Sequence, residues 1–201
     1  MKRIELLMDD NTSLDFISLV EDPAIEVDFF YFSKQSKKDF GFKTTDEEQR
    51  IVTGPAMIPN KDILRVDEVG NFYNVFFSPL TIRKAAELFF KNSNPNETNI
   101  NHEAKVMTGV TVFESWIVDA LNGKGGGKNY EDATNGTWMV SYKIDNKDIW
   151  DNFIKTGKIK GFSVEGNFIM KEDVFSAMRK ILEDTKTTID EKYKLLQIIT
   201  N

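Results

Sequence analysis

Short apolar runs rich in β-branched and aromatic residues follow one another through the first 170 residues of the chain. Runs of this kind, separated by turn-forming residues, are typical of β-strands. The clearest are Ile4 to Met8, Leu14 to Val20, Val27 to Phe32 and Arg50 to Ile58. Gly70-Asn71 predicts a hairpin turn between two more strands, 63–69 and 72–77. The pattern therefore predicts a strand-rich domain, and a chain of 201 residues is long enough to bury its core.

Two segments depart from this regular pattern of strands. Gly54-Pro55 interrupts the fourth run, and proline has no N–H to donate to a neighbouring strand. We therefore expect this run to be an edge strand or to contain a bulge. The polar segment 33–48 is predicted to be a surface loop.

Helical periodicity is limited to a few segments. The clearest predicted helix is 79–91, because Ser78 suits the N-cap and Pro79 the first helical position. A second helix is predicted at 147–155, followed by Gly157. Beyond Met170, the segments 172–183 and 189–199 combine helical periodicity with many charges. We therefore predict an α+β fold, with one domain at 1–170 and a C-terminal helical arm at 171–201.

Composition excludes several classes of function. A net charge of −6 argues against nucleic acid as the main partner, since phosphate binding needs clustered basic residues. The absence of cysteine removes disulfides, thiol catalysis and Cys-ligated zinc. A single histidine excludes a multi-His metal site, whereas a carboxylate site for Mg²⁺ or Ca²⁺ stays open, although no Asp-rich loop of the calcium-binding pattern is present. We expect no cofactor, because the serine–histidine chemistry considered next needs none. No apolar run approaches the length of a membrane span, so the chain is predicted to be soluble, cytoplasmic and not bound to a membrane.

His102 is the only histidine, and Ser163 follows it by 61 residues in the run Gly161-Phe-Ser-Val-Glu-Gly166. A serine hydroxyl is a weak nucleophile near neutral pH unless a base removes its proton, and histidine is well suited to that task. A Ser–His hydrolase built from this chain has one candidate base. The run is not the Gly-x-Ser-x-Gly elbow of α/β-hydrolases, because Glu165 stands where that motif has glycine.

The third catalytic residue depends on a predicted hairpin. A turn near Thr108-Gly109 would place His102 opposite Glu114, where directly opposed Cβ atoms are roughly 5 Å apart. A carboxylate there could fix the tautomer of the imidazole. A slip of one residue would turn Glu114 away, and Glu114 could equally be a solvated strand residue. The competing acids are Glu103, Asp119 and Glu165.

Glycine fills four of the five positions at 123–127, within the polar segment 122–136. This is not a phosphate loop, because the Gly-Lys-Ser/Thr ending is absent. We predict a mobile hairpin loop. The functional alternative is a flap over a substrate groove.

Several segments together resemble one family, the XkdF-type prohead proteases of tailed bacteriophages, which are related to the herpesvirus assemblins. The segments are Ile17–Ile25, Val52–Pro59, Asn101–Glu103, Glu114–Val118, Gly136–Val140, Trp150 and Gly157–Gly166. The resemblance implies a mainly antiparallel, barrel-like sheet with flanking helices. It implies a serine endopeptidase that matures the capsid. Ser163 matches the nucleophile and His102 the general base. Assemblins use a second histidine as the third residue, so an acid must serve here, and we expect Glu114.

The resemblance also implies partners and a location. The expected substrates are the phage scaffold protein, the major capsid protein and the protease itself, cleaved inside the immature capsid in the host bacterial cytoplasm. A homo-oligomer is possible, and the C-terminal arm could be removed by self-cleavage. Two other functions stay open: a non-catalytic phage assembly protein on a related fold, and a β-rich binding module unrelated to phage.

Overall fold

The structure is a computed structural model that describes residues 2–9, 12–23, 43–46, 49–92, 95–96, 98–103, 106–127, 129–184 and 187–200. The strand predicted at Val27 to Phe32 lies outside them.

Ten strands and four helices are described. The strands are β1 (Lys2–Leu7), β2 (Leu14–Val20), β3 (Lys43–Asp46), β4 (Ile51–Met57), β5 (Ile63–Val66), β6 (Phe72–Phe77), β7 (Val110–Ile117), β8 (Trp138–Ile144), β9 (Gly161–Gly166) and β10 (Ile169–Met170). The helices are α1 (Pro79–Asn92), α2 (Lys147–Ile149), α3 (Lys171–Glu183) and α4 (Ile189–Thr200). A π-helical turn, Trp150–Ile154, continues α2, and a short 3₁₀ turn covers Ala120–Asn122.

The strands form three sheets. One has the order β10-β1-β6-β5, the second is the two-stranded ribbon β2-β9, and the third has the order β3-β4-β8-β7. All pairings are antiparallel except that of β1 with β6. Mixed helices and strands agree with the predicted α+β class. The described strands do not close into a barrel, so the barrel-like expectation is not confirmed.

The sheets and α1 enclose one main hydrophobic core. Ser78 caps α1 by accepting a hydrogen bond from the Thr81 amide at 3.3 Å, as its position in the sequence predicted. The apolar stripe of α1 is buried, and the Phe89 ring meets Trp138 of β8 edge to face at 5.7 Å between centroids. Burying a side chain as large as Phe89 contributes about 2–3 kcal/mol to stability.

β4 shows how the fold accommodates its proline. The strand is not at an edge, because it lies between β3 and β8. The register with β8 shifts between Pro55 and Met57. Of the two predicted alternatives, an edge strand and a bulge, the bulge is therefore the one found. It interrupts the hydrogen-bond ladder with β8 next to Pro55, which has no N–H to donate.

β2 runs through the centre of the molecule. One edge pairs with β9, and the other forms a parallel bridge between Leu19 and Ile100. The Ile17 carbonyl accepts hydrogen bonds from the Thr98 hydroxyl at 2.6 Å and from the Tyr142 hydroxyl at 3.1 Å. Burial raises the pKa of Tyr142, which keeps this hydroxyl a donor. These contacts fix the segment around residue 100 against β2.

The C-terminal helices begin directly after β10. Lys171 at the start of α3 pairs with Glu5 of β1 at 2.5 Å, and Glu172 pairs with Lys2 at 2.5 Å. The Lys171 hydrogen bond holds the pKa of Glu5 below its ordinary value. The first helix of the predicted arm is therefore tied to the N-terminal strand. No described helix has the length and apolar character needed to cross a membrane.

Candidate active site

β9 carries two of the candidate residues on one face. Side chains alternate along a strand, and the Phe162 ring stacks on Tyr142 in the core at 5.0 Å between centroids. Ser163 and Glu165 therefore lie on the opposite face of β9. Ser163 is buried, with 8% of its surface exposed to solvent, and Glu165 is half-buried. Gly166 is the last residue of β9. A Cβ atom added to it would lie 2.4 Å from the Ser13 carbonyl oxygen, so only glycine fits at this position.

The neighbouring strand adds a second serine, Ser18. Ser18 lies directly across from Ser163 in the antiparallel register of β2 and β9, and it is fully buried. Directly opposed residues place their Cβ atoms roughly 4.5–5.5 Å apart. The fold thus brings two hydroxyl-bearing side chains together. Ser18 is not among the site residues predicted from the sequence, although a polar residue within the apolar run Ile17-Ser-Leu-Val20 is a signal for it.

His102 reaches this pair through an unusual turn. The segment before it is hydrogen-bonded to β2: the Leu19 amide donates to the Asn99 carbonyl, and the Asn101 amide to the Leu19 carbonyl, both at 3.0 Å. Asn101 and His102 then adopt left-handed conformations, with φ of 51° and 60°. Asparagine and histidine are enriched in this region, although each left-handed residue costs roughly 1 kcal/mol or more. The turn places the imidazole over Ser18.

One imidazole nitrogen makes two contacts. His102 Nδ1 lies 3.2 Å from Ser18 Oγ and 3.2 Å from Glu165 Oε2. A carboxylate only accepts hydrogen bonds, so its contact requires a proton on Nδ1. The same N–H can also donate a hydrogen bond to Ser18 Oγ. The neutral imidazole in this tautomer keeps the lone pair on Nε2, which is the form a general base needs.

Asn99 supports the carboxylate. Its side-chain amide donates to Glu165 Oε2 at 3.3 Å, and Asn99 is almost fully buried. The charged partners are more exposed, with side-chain exposures of 40% for His102 and 41% for Glu165. Solvent therefore screens the attraction between them. Asn99 limits the directions in which Glu165 can turn.

Ser163 and His102 are neighbours without a direct bond. Among the described residues, no hydrogen bond joins Ser163 Oγ to the imidazole. Ser18 lies between them as the partner of both, by hydrogen bond to His102 and by strand pairing to Ser163. Catalytic hydrogen bonds in ligand-free enzymes are often long and tighten only when substrate binds. Nε2 of His102 has to come within hydrogen-bond distance of Ser163 Oγ before it can take the Ser163 proton.

The predicted register of the His102 hairpin is wrong. Thr98 pairs with Met107, and the Glu103 amide donates to the Ile100 carbonyl, so the chain turns at Asn101 and His102 rather than at Thr108-Gly109. The two left-handed residues cause this early turn. Glu114 lies on β7 opposite Ser141 of β8, where it is exposed. The structure therefore does not bring Glu114 to His102.

The structure also shows where the three competing acids, Glu103, Asp119 and Glu165, lie. Glu103 is exposed beside the turn, and its backbone amide bonds to the Ile100 carbonyl. Asp119 forms a bridge with Lys124 at the glycine-rich segment. Within the described part of the chain, Glu165 is the one acid found in contact with His102. No cluster of three potential metal ligands occurs among the described residues.

Two concave features flank the sheets. A cavity of about 80 Å³ is lined by Ser163 and mainly apolar residues. A wide groove of about 600 Å³ lies between α1 and β7, with Glu114 in its wall. The glycine-rich segment borders this groove, where the Trp116 indole donates to the Gly125 carbonyl at 2.9 Å. Its predicted mobility and its role as a flap stay predictions.

Comparison with known proteins identifies a family. Residues 40–173 match the family model described as "Putative phage serine protease XkdF". The match covers more than half of the chain, which therefore belongs to this family. No curated protein and no solved structure matches the chain. Ser163, His102 and Glu165 lie inside the matched region, whereas Ser18 precedes it.

Proposed function

As a member of the XkdF family, this chain is, we propose, a serine endopeptidase of phage capsid maturation. Ser163 is the nucleophile, His102 the general base and Glu165 the acid that orients His102. Glu165 replaces Glu114 in this role. The observation that carries the proposal is the contact of His102 Nδ1 with Glu165 Oε2, beside the paired strands that hold Ser18 and Ser163.

The mechanism follows from the proton on Nδ1. Nε2 of His102 accepts the Ser163 proton while Oγ attacks the substrate carbonyl. Glu165 stabilises the imidazolium that forms, since a charge-assisted hydrogen bond is stronger than a neutral one. The imidazolium then donates its proton to the leaving amine, and water hydrolyses the acyl-enzyme by the same route. Backbone N–H groups would stabilise the oxyanion. This chemistry needs no cofactor.

Ser163 is a better nucleophile candidate than Ser18. Ser18 is fully buried, whereas Ser163 keeps some exposure and lines a cavity that a substrate side chain could enter. Ser18 Oγ contacts Nδ1, and that nitrogen carries the proton shared with Glu165. His102 Nδ1 therefore cannot accept a proton from Ser18 in this tautomer.

The proposed substrates are the phage scaffold protein, the major capsid protein and this chain itself, inside the immature capsid of the infected bacterium. The proposal includes removal of the C-terminal arm by self-cleavage and leaves room for a homo-oligomer. What supports it is the family description, which names a phage serine protease. The relation to herpesvirus assemblins stays a prediction, since no solved structure matches the chain.

The test is the intact mass of purified protein over time, alone and after co-expression with phage capsid and scaffold proteins. We expect cleavage in the wild type and none in Ser163→Ala, with unchanged circular dichroism. Ser13→Ala is the matched control, because Ser13 lies next to the same ribbon but does not contact His102. Cleavage by Ser163→Ala at the wild-type rate would remove Ser163 from the mechanism.

A second function is favoured by one observation, the absence of a hydrogen bond between Ser163 and His102 among the described residues. A non-catalytic assembly protein on this fold would have no need for that bond. A fluorophosphonate probe separates the two functions, because it reacts only with an activated serine: the Oγ–P bond forms and fluoride leaves. Labelling of Ser163 supports the protease. A binding module unrelated to phage is not supported by the family match.

A further inference from the structure

The cavity beside Ser163 has a composition unlike the rest of the site. It has a volume of about 80 Å³ and lies where β9 approaches β4, β5 and β6. Apart from Ser163 and Arg65, every lining residue is apolar. Its walls include Met57, Ile58, Ile63, Phe77 and Phe168. The Phe77 and Phe168 rings pack edge to face at 4.9 Å between centroids, a favourable arrangement for two aromatic side chains.

The size of the cavity limits what can enter it. An apolar cavity of about 150 Å³ is known to hold benzene, and this cavity has roughly half that volume. It therefore has room for a branched aliphatic side chain but not for an aromatic ring. A cationic side chain would lose its hydration against apolar walls and would meet the positive charge of Arg65.

We propose that this cavity binds the side chain of the substrate residue whose carbonyl Ser163 attacks, and that it selects a small aliphatic residue such as valine. The proposal rests on the proposed function, since it assumes that Ser163 is the nucleophile. It adds a substrate class: polypeptides cleaved after a small aliphatic residue. When a substrate side chain has one methylene more or fewer than a hydrophobic pocket fits, the rate falls by about tenfold or more.

The probes are diphenyl aminoalkylphosphonates, which carry one amino-acid side chain next to the phosphorus. Ser163 Oγ forms a bond to phosphorus and a phenoxide leaves, which takes up the serine proton as phenol. The rate constant of adduct formation is measured by intact mass for probes with the side chains of valine, leucine, phenylalanine, aspartate and lysine. We expect the valine probe to react at least tenfold faster than the phenylalanine and lysine probes.

Two substitutions change the cavity in opposite directions. Ile58→Ala enlarges it at a half-buried position, which limits the damage to folding. We expect this variant to raise the rate of the phenylalanine probe at least tenfold relative to valine. Ala56→Val narrows the cavity and should slow the valine and leucine probes. The control is Val66→Ala on β5, an exposed residue outside the cavity, which should leave the ranking unchanged.

The outcomes separate this proposal from the proposed function. If the fluorophosphonate probe labels Ser163 but the phosphonates react equally, or fastest with aspartate or lysine, the cavity is not the aliphatic subsite and the protease function stands. If wild type shows the valine preference but Ile58→Ala does not relax it, the subsite lies elsewhere. If neither class of probe labels Ser163 in the wild type, both proposals are wrong.

Discussion

Replacing Glu165 with glutamine removes one negative charge and keeps the shape of the side chain. Nδ1 and Oε2 are 3.2 Å apart, and at this separation Coulomb's law gives about 1.3 kcal/mol in water and about 5 kcal/mol at an effective dielectric constant of about 20. About two fifths of each side chain is exposed, so the lower part of this range applies. A loss of about 1.4–2.7 kcal/mol of transition-state stabilisation corresponds to a tenfold to hundredfold fall in rate.

The assay is the rate constant of fluorophosphonate labelling at Ser163, followed by intact mass, together with substrate cleavage on co-expression. Glu114→Gln and Glu103→Gln are matched controls that remove the same charge from other acids, and each should retain the wild-type rate within about twofold. A fall in Glu114→Gln with an unchanged Glu165→Gln would refute the role assigned to Glu165. The circular dichroism and melting temperature of all three variants must match those of the wild type.

Three further substitutions test the site and its support. Ser18→Ala should slow labelling of Ser163 by about tenfold or less, the value of one neutral hydrogen bond; a complete loss of labelling in a folded protein would contradict this supporting role. Gly166→Ala should lower the free energy of unfolding by about 1–3 kcal/mol in urea titration, because its Cβ would lie 2.4 Å from the Ser13 carbonyl oxygen; an unchanged midpoint would contradict this. Lys171→Met removes the partner that lowers the pKa of Glu5. A lowered carboxyl pKa stabilises the fold above the ordinary value of 4.5, and this contribution disappears as the pH falls through the lowered pKa. The variant should therefore be less stable than wild type at pH 7, by up to about 1 kcal/mol, and equally stable in strong acid; a difference independent of pH would point to lost packing instead.

Local signals in the sequence predicted the elements well. Ser78 and Pro79 predicted the start of α1, because helix capping depends on residues only a few positions apart. The hairpin of β5 and β6 was also predicted, although β5 ends at Val66 and the loop covers 67–71. β3, in contrast, lies within the segment predicted to be a loop, since its residues Lys43–Asp46 are polar and gain their strand structure by pairing with β4.

The candidate site was predicted only in part, because its geometry depends on contacts between distant segments. The chemistry of His102 and Ser163 is readable from residue types. The contact with Glu165 is not, because it requires β2 to pair with β9 and the segment at residue 100 to pair with β2. The predicted turn relied on Gly109, which does have a positive φ of 74°, but the chain had already reversed at Asn101 and His102. Left-handed residues other than glycine give little signal in a sequence.

The pairing of β2 with β9 also sets an order of events during synthesis. β2 leaves the ribosome before β9, which follows only after the roughly 140 residues between the two strands have been translated. Until then His102 and Ser18 are present but Ser163 and Glu165 are not, and β2 lacks one of its two neighbours. A nascent chain therefore lacks the proposed nucleophile and its acid until β9 has been translated. Contacts between such distant segments also form slowly, so we expect this site to form later than a site built from local contacts in a domain of the same length.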